Sequence, residues 1–233
     1  MANTISPLAY VHPDAKMGDG NVIGPFCYID ADVIIGDNNH FQNSVTLNQG
    51  TRMGSGNEVF PGTSISTKPQ DLKYHGEITT CQIGNNNLLM ENMHIAHDCV
   101  INNNCIIGNS TKFAGEVIVD DCAIISAEVL VHQFVHIGGY VMVQGGSRTS
   151  QDIPPYVIAG KEPIRFAGLN LIGLRRRGFS GEAILAIREA YNTIYSKGIL
   201  KEGIEEVKLS MEITPEIKYI IDFIESAQRG IIR

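Results

Sequence analysis

The chain has no tryptophan, only 7% aromatic residues, and no apolar run near the roughly 18 residues a membrane-spanning helix needs. Its opening stretch, MANTISPLAYVHPDAK, lacks the basic and then apolar segments of a secretory leader. Disulfide and zinc frameworks are not indicated either. The five cysteines, Cys27, Cys81, Cys99, Cys105 and Cys122, are odd in number, widely spread and contain no CxxC pair. A reduced, cytoplasmic setting is therefore the default expectation. Basic charge is also scarce. With 18 Lys+Arg against 25 Asp+Glu the net charge is -7, which argues against a nucleic-acid binder. The deficit is uneven, because residues 170–233 carry 10 basic and 9 acidic residues and the acidity lies upstream.

Glycine, by contrast, is plentiful at 24 residues, and the chain repeats itself. An aliphatic or aromatic residue stands at every sixth position from Val11 through Met17, Ile23 and Ile29 to Ile65, and again from Ile83 to Val143. A helix cannot produce this period, since residues six apart lie on opposite faces. Three short strands per eighteen-residue turn can. Each hexad is then one strand and one corner, with Gly, Asn or Asp at the tight turns (Gly18-Asp19-Gly20, Gly84-Asn85-Asn86). The repeat predicts a three-sided parallel β-helix of about seven coils over residues 11–143. The eighteen residues between Ile65 and Ile83 read as three further hexads that keep the frame. Small residues four places after the aliphatic, including Cys27, Cys99, Cys105 and Ala123, read as inward spacers.

Beyond the repeat, Gln151-Asp152-Ile153-Pro154-Pro155-Tyr156 reads as a linker that breaks regular structure. Helices follow. Ser180 is a natural N-cap for a helix over 181–196, a second fits 201–211, and a third begins at Pro215 and runs to about residue 228. The expected organisation is a β-helix domain over residues 1–160 and a helical domain over 161–233 that caps its open end.

Several side chains could carry chemistry. In His94-Ile95-Ala96-His97-Asp98, a base of near-neutral pKa stands beside a carboxylate, which suits general-base catalysis on a hydroxyl, although spacing alone favours two surface histidines on a repeat. A zinc site from His94, His97, His132 and His136 has no recognisable ligand pattern behind it, so no metal is expected. Asp71 and Lys73 lie in the break between the two repeat blocks, where a loop leaves a rigid scaffold. Arg175, Arg176 and Arg177 suit a diphosphate, an acidic protein partner or a merely solvated helix face. Gly115 lies one coil beyond His97, where a backbone N–H stacked on the histidine could stabilise an oxyanion; a simple corner glycine is the alternative.

Taken together, IGPFCYI, QDLKY, NLLMENMHIAHDC, VHQF, QDIPPYVIAG, GLRRRGFS and the terminal RGIIR resemble the acyl-carrier-protein:UDP-N-acetylglucosamine O-acyltransferases of lipid A biosynthesis. The resemblance covers nearly the whole chain. It implies a left-handed coil, a homotrimer with sites between prisms, and no cofactor beyond the donor's own acyl-phosphopantetheine on acyl carrier protein. It implies His97 as the base for the sugar 3-hydroxyl, Asp98 as its support and Gly115 as oxyanion donor. Asp71, Lys73 and His94 would line the site near sugar and pantetheine. His132, Gln133, Asn170, Arg176 and Arg177 would form the nucleotide-sugar side, and Gly145 would set acyl-chain length. One departure stands out: about one coil and a short outward loop that the family carries before NLLM are absent, which would move Asp71 and Lys73 by one rung, about 4.8 Å, relative to His97. In addition Glu116 stands where the family often has histidine. Two alternatives therefore accompany the acyltransferase reading: the same fold binding a nucleotide sugar without turnover, and a CoA-dependent hexapeptide acyltransferase.

Overall fold

The structure, a computed structural model, describes residues 2–70 and 72–233. Most strands are only two residues long, and their second residue points inward. In Val22–Ile23, Tyr28–Ile29 and Ile34–Ile35 the first side chain is exposed and the second buried. The chain then turns a corner through a residue with positive φ. Short polar residues take that position readily, as at Asn38, Asn86, Asp98 and Asn104, but Phe26, Glu116, Cys122, Phe134 and Tyr140 take it too. The stacked coils thus impose a conformation that these larger residues would not choose locally.

Three sheets result. The first face runs from Thr4–Ile5 to Val157–Gly160 and ends on an antiparallel strand, Arg165–Leu169; it has ten strands. The second, from Tyr10–Val11 to Arg148–Thr149, has eight, and the third, from Lys16–Met17 to His136–Ile137, has seven. The solenoid is therefore longer than the expected residues 11–143. It begins at Thr4–Ile5, where exposed Ile5 conceals the repeat, and it continues past Val143. The segment expected to be a structureless linker is part of the wall: Ile153 bridges to Ile137, Asp152 bridges to Ile231, and Ile153 and Tyr156 are buried.

The eighteen residues between Ile65 and Ile83 also behave differently from the expectation. Coils elsewhere pair at a step of 18, as Glu58 does with His40, but Glu58 pairs next with Leu88, a step of 30. Twelve extra residues leave the solenoid after Ser64–Thr67 and return at Cys81–Ile83. The frame survives because twelve is two hexads, not because a coil is present.

Inside, aliphatic columns fill the prism, and one polar column runs among them. Asn39 donates to Asn21 and Asn57 to Asn39, and the Asn87 backbone N–H donates to Asn57. The ladder stops at Asn87, because the next position is Cys105; the Asn87 amide nitrogen is left without a partner. Of the cysteines, Cys27, Cys81, Cys99 and Cys105 are buried spacers and Cys122 is partly exposed.

The C-terminal segment closes the open end. Helix α1 (Leu171–Arg176) was not expected; α2 (Gly181–Ser196), α3 (Leu200–Ser210) and α4 (Pro215–Ser226) were, within two residues. The Ser180 hydroxyl accepts from the Ala183 N–H, and the Thr214 hydroxyl accepts from the Ile217 N–H ahead of Pro215. Tyr191 in α2 donates to the Pro155 carbonyl, fixing the helices to the last coil.

Candidate active site

The corner between the second and third faces gathers most of the chemistry. Strand His94–Ala96 anchors itself through buried Ile95 and Ala96 and delivers His97 and Asp98 into the turn. His97 Nδ1 lies 2.9 Å from Asp98 Oδ2, and their side chains are 24% and 35% exposed. With Nδ1–H donating to the carboxylate, the Nε2 lone pair is left open as a base. The second Asp98 oxygen accepts the Thr80 backbone N–H at 2.9 Å.

Gly115 sits one coil on, directly beneath the imidazole. A Cβ there would lie 2.4 Å from His97 Cε1 and 2.5 Å from Nε2. The glycine is needed for this close approach and not for its φ. Its N–H has no hydrogen-bond partner among the described residues, and Pro13 occupies the same corner position earlier in the solenoid, where no donor is used. A donor free beside Nε2 suits an oxyanion.

The twelve-residue excursion is rooted on His94 and Asp98, on either side of His97. Thr67, where it departs, lies 3.4 Å from His94 Nε2, and Thr80, where it returns, bonds Asp98. It leaves from strand Ser64–Thr67, which pairs directly with His94–Ala96. Lys73 is thus carried by a loop rising from the neighbouring rung, and its side chain is exposed. Asp71 lies outside the described residues. His94 is held below the ordinary histidine range, first by burial and then by the Lys112 cation.

A family model described as UDP N-acetylglucosamine O-acyltransferase, domain 2, matches residues 152–232, and the model of bacterial transferase hexapeptides matches residues 14–49 and 80–115. Among solved structures, the UDP-N-acetylglucosamine acyltransferase of Bacteroides fragilis is 50% identical, with a TM-score of 0.86 over 99% of this chain and 100% of that one. The Acinetobacter baumannii structure is 34% identical over 98% and 99% of the two chains, with a TM-score of 0.86. That of Francisella novicida is 32% identical over 99% and 94%, also with a TM-score of 0.86. The chain belongs to this acyltransferase family. Its solenoid is accordingly the family's left-handed parallel β-helix, and the protein is an acyltransferase.

Other residues expected at this family site fall into two groups. His132 and Gln133 lie on the corner of His97, with Gln133 one coil beyond Gly115. His132 Nδ1 faces Arg229 Nη2 at 3.3 Å, and Arg229 also donates to the Ser150 carbonyl. Sequence reasoning missed Arg229; its only signal was its place in the terminal RGIIR. The remaining residues are elsewhere on the prism. Asn170, Arg176 and Arg177 line a separate groove of about 620 Å³ on the first face, floored by Ile106, Ile124 and Met142. The Asn170 side chain is committed to the fold: it accepts from Gly173 N–H as the cap of α1 and donates to the Tyr140 carbonyl. Arg177 reaches the Asn104 carbonyl at 3.3 Å. Gly145 is on the third corner, 3.1 Å (as an added Cβ) from the Ala127 carbonyl.

Burial raises the Cys99 and Cys105 thiols to about 12, which disfavours a nucleophilic thiolate at those two positions. Among the described residues, no three His, Cys, Asp or Glu side chains cluster as metal ligands, and no helix is long and apolar enough to cross a membrane.

Proposed function

We propose that this enzyme transfers a 3-hydroxyacyl chain from acyl carrier protein to the 3-hydroxyl of UDP-N-acetylglucosamine, the entry step of lipid A biosynthesis. The observation that carries the reading is the His97–Asp98 pair with Nε2 open above Gly115. His97 Nε2 takes the proton as the sugar oxygen attacks the thioester carbonyl. The Gly115 N–H receives the developing oxyanion. Collapse expels the thiol sulfur, which takes the proton back from His97. Asp98 keeps the ring in the right tautomer and stabilises the imidazolium.

The reading also assigns a homotrimer. A three-fold arrangement would set the groove of Arg176 and Arg177 in one protomer against the His97 corner of its neighbour, reuniting two groups that one chain keeps apart. The outward apolar side chains Ile118, Leu130 and Phe134, each about two-fifths exposed, support such burial. In that assembly Asp71 and Lys73 of the loop and His94 would contact sugar and pantetheine, and Gly145 would limit the acyl chain. Arg175, Arg176 and Arg177, all exposed, suit the acidic surface of a carrier protein, so activity should fall with added salt. The protein would work in the cytoplasm without metal or cofactor.

The deciding experiment follows product by mass spectrometry, with 3-hydroxyacyl carrier protein and, in parallel, the matching acyl-CoA. Transfer from the carrier that is abolished by His97→Ala supports the proposal. Binding of nucleotide sugar with no transfer, equal product from His97→Ala, or preference for the CoA donor would each refute it.

A further inference from the structure

The second face carries, beside the His97 corner, a straight outward column whose two cations, Lys112 and Arg148, have no role in the function proposed above. His94 pairs with Lys112, Lys112 with Leu130, and Leu130 with Arg148, each on successive coils in register. They line a groove of about 520 Å³ that runs along the solenoid axis. From the rung of His94 to that of Arg148 it spans three steps, about 14 Å at the usual strand spacing.

Two features make this column unusual. The protein is acidic overall, yet no carboxylate lines the groove. Its two permanent cations are also unneutralised: the Lys and Arg ion pairs among the described residues belong to Arg52, Lys197, Lys208 and Lys218. Lys112 and Arg148 are both exposed and flank half-exposed Leu130, one rung to either side. Their Cα atoms are about 10 Å apart, so two long side chains can converge over Leu130 on one small dianion. Lys112 pairs in register with His94, and its cation adds to burial in disfavouring the charged form of that histidine.

We propose that Lys112 and Arg148 form a phosphate clamp over Leu130, holding a phosphate of a bound substrate about two rungs from the reacting histidine. The identity of that substrate rests on the function proposed above, in which both partners carry phosphate: the donor at the end of its pantetheine arm, the acceptor in its diphosphate. The shared chemistry is a phosphate oxygen cluster meeting a guanidinium fork and an ammonium, which gives charge-assisted hydrogen bonds.

Titration calorimetry on the full chain distinguishes the sources. The probes are 4′-phosphopantetheine and UDP-N-acetylglucosamine, each beside its phosphate-free counterpart, pantetheine or N-acetylglucosamine. Loss of one charge-assisted contact corresponds to about tenfold in affinity. One of the two phosphorylated probes should therefore weaken about tenfold in Lys112→Ala and in Arg148→Ala, and further in the double variant. Lys112→Arg and Arg148→Lys should keep most of the affinity, and Lys16→Ala, on the far part of the third face, should change nothing. The probe that weakens names the source. Phosphorylated probes that bind the double variant as well as the native protein, or phosphate-free probes that weaken equally, would overturn the clamp. A native protein that transfers no acyl group but shows these shifts would overturn the proposed function and leave the clamp supported.

Discussion

The solenoid carries two histidine–aspartate pairs with the same 2.9 Å separation, and they are built for opposite ends. His97 and Asp98 are neighbours in sequence at an open corner. His97 uses Nδ1 for the carboxylate and leaves Nε2 over Gly115. His136 and Asp120 come from successive coils, and His136 spends Nε2 on the carboxylate. Its ring packs on Phe223 of α4, with centroids 4.5 Å apart, and its backbone N–H donates to Asp152. Asp120 also accepts the Tyr219 hydroxyl and the Asn102 amide, so every oxygen is used. The first pair has an unspent nitrogen beside an unspent N–H; the second is a clamp between solenoid and helices. A His–Asp contact by itself therefore identifies nothing. Which nitrogen remains free, and what it faces, decides.

The comparison breaks if the two pairs respond alike to mutation. His97→Ala should lower kcat by about 10² to 10⁴, the usual contribution of a positioned base, with little change in thermal midpoint. His136→Ala should do the reverse, because it opens a partly buried clamp. Assay and melting curve on both variants settle the point, and a stable but inactive His136→Ala would contradict the assignment. Asp98→Asn is next. An amide nitrogen cannot accept from Nδ1–H, so the ring loses its tautomer, and a large fall in kcat is expected while Thr80 can still be held by the amide oxygen.

Gly115→Ala acts on the His97 pair alone. The backbone there is not left-handed, so alanine conflicts only with the imidazole that it would meet at 2.4 Å. A ring displaced by about 1 Å should cost about a hundredfold in rate. In a His97→Ala background the same substitution should be nearly silent for stability; a large melting-temperature loss there would mean that the glycine serves the coil and not the histidine. On the clamp side, Tyr219→Phe leaves the Gly139 N–H, now bonded at 2.7 Å, without an acceptor. A loss of about 1–3 kcal/mol in denaturant unfolding is expected, with kcat unchanged.

Much of this was legible in the sequence because a period of six is a geometric statement. Burial at every sixth position, the corner polar residues and the stacking of Gly115 on His97 all follow from it. What the period could not distinguish was a coil from a loop of two hexads: the twelve residues by which the step from Glu58 to Leu88 exceeds eighteen keep the frame without adding a coil. It also failed where burial comes from another element. Asp152 and Tyr156 read as part of a linker because partners of theirs, the terminal Ile231 and Tyr219 of α4, lie far along the chain. Asn170 read as a ligand group from resemblance alone; it lines the groove of Arg176 and Arg177, and its amide also caps α1 and bonds the Tyr140 carbonyl. The helix starts at Ser180 and Pro215, being local, were found.

The smallest expected effect concerns His94, which lies between the catalytic corner and the column of Lys112 and Arg148. Burial and the Lys112 cation both disfavour its charged form, so its folded pKa lies below the ordinary value of about 6.5. As pH falls through that value, the unfolded chain takes up the proton first. The folded state is then progressively disfavoured until the depressed folded pKa is passed, where the difference levels off; above about pH 7 the residue contributes nothing to the pH dependence. Lys112→Gln removes the second cause and leaves the first. The His94 titration, followed by the NMR shift of its ring Cε1 proton, should move upward without reaching the ordinary value, and the stability lost between pH 7 and pH 5 should shrink with it. An unmoved titration would show that the Lys112 field does not reach the corner. The distinction would then rest on geometry alone: at neutral pH His94 stands uncharged beside Thr67, a hydrogen-bonding group rather than a second cation next to the base.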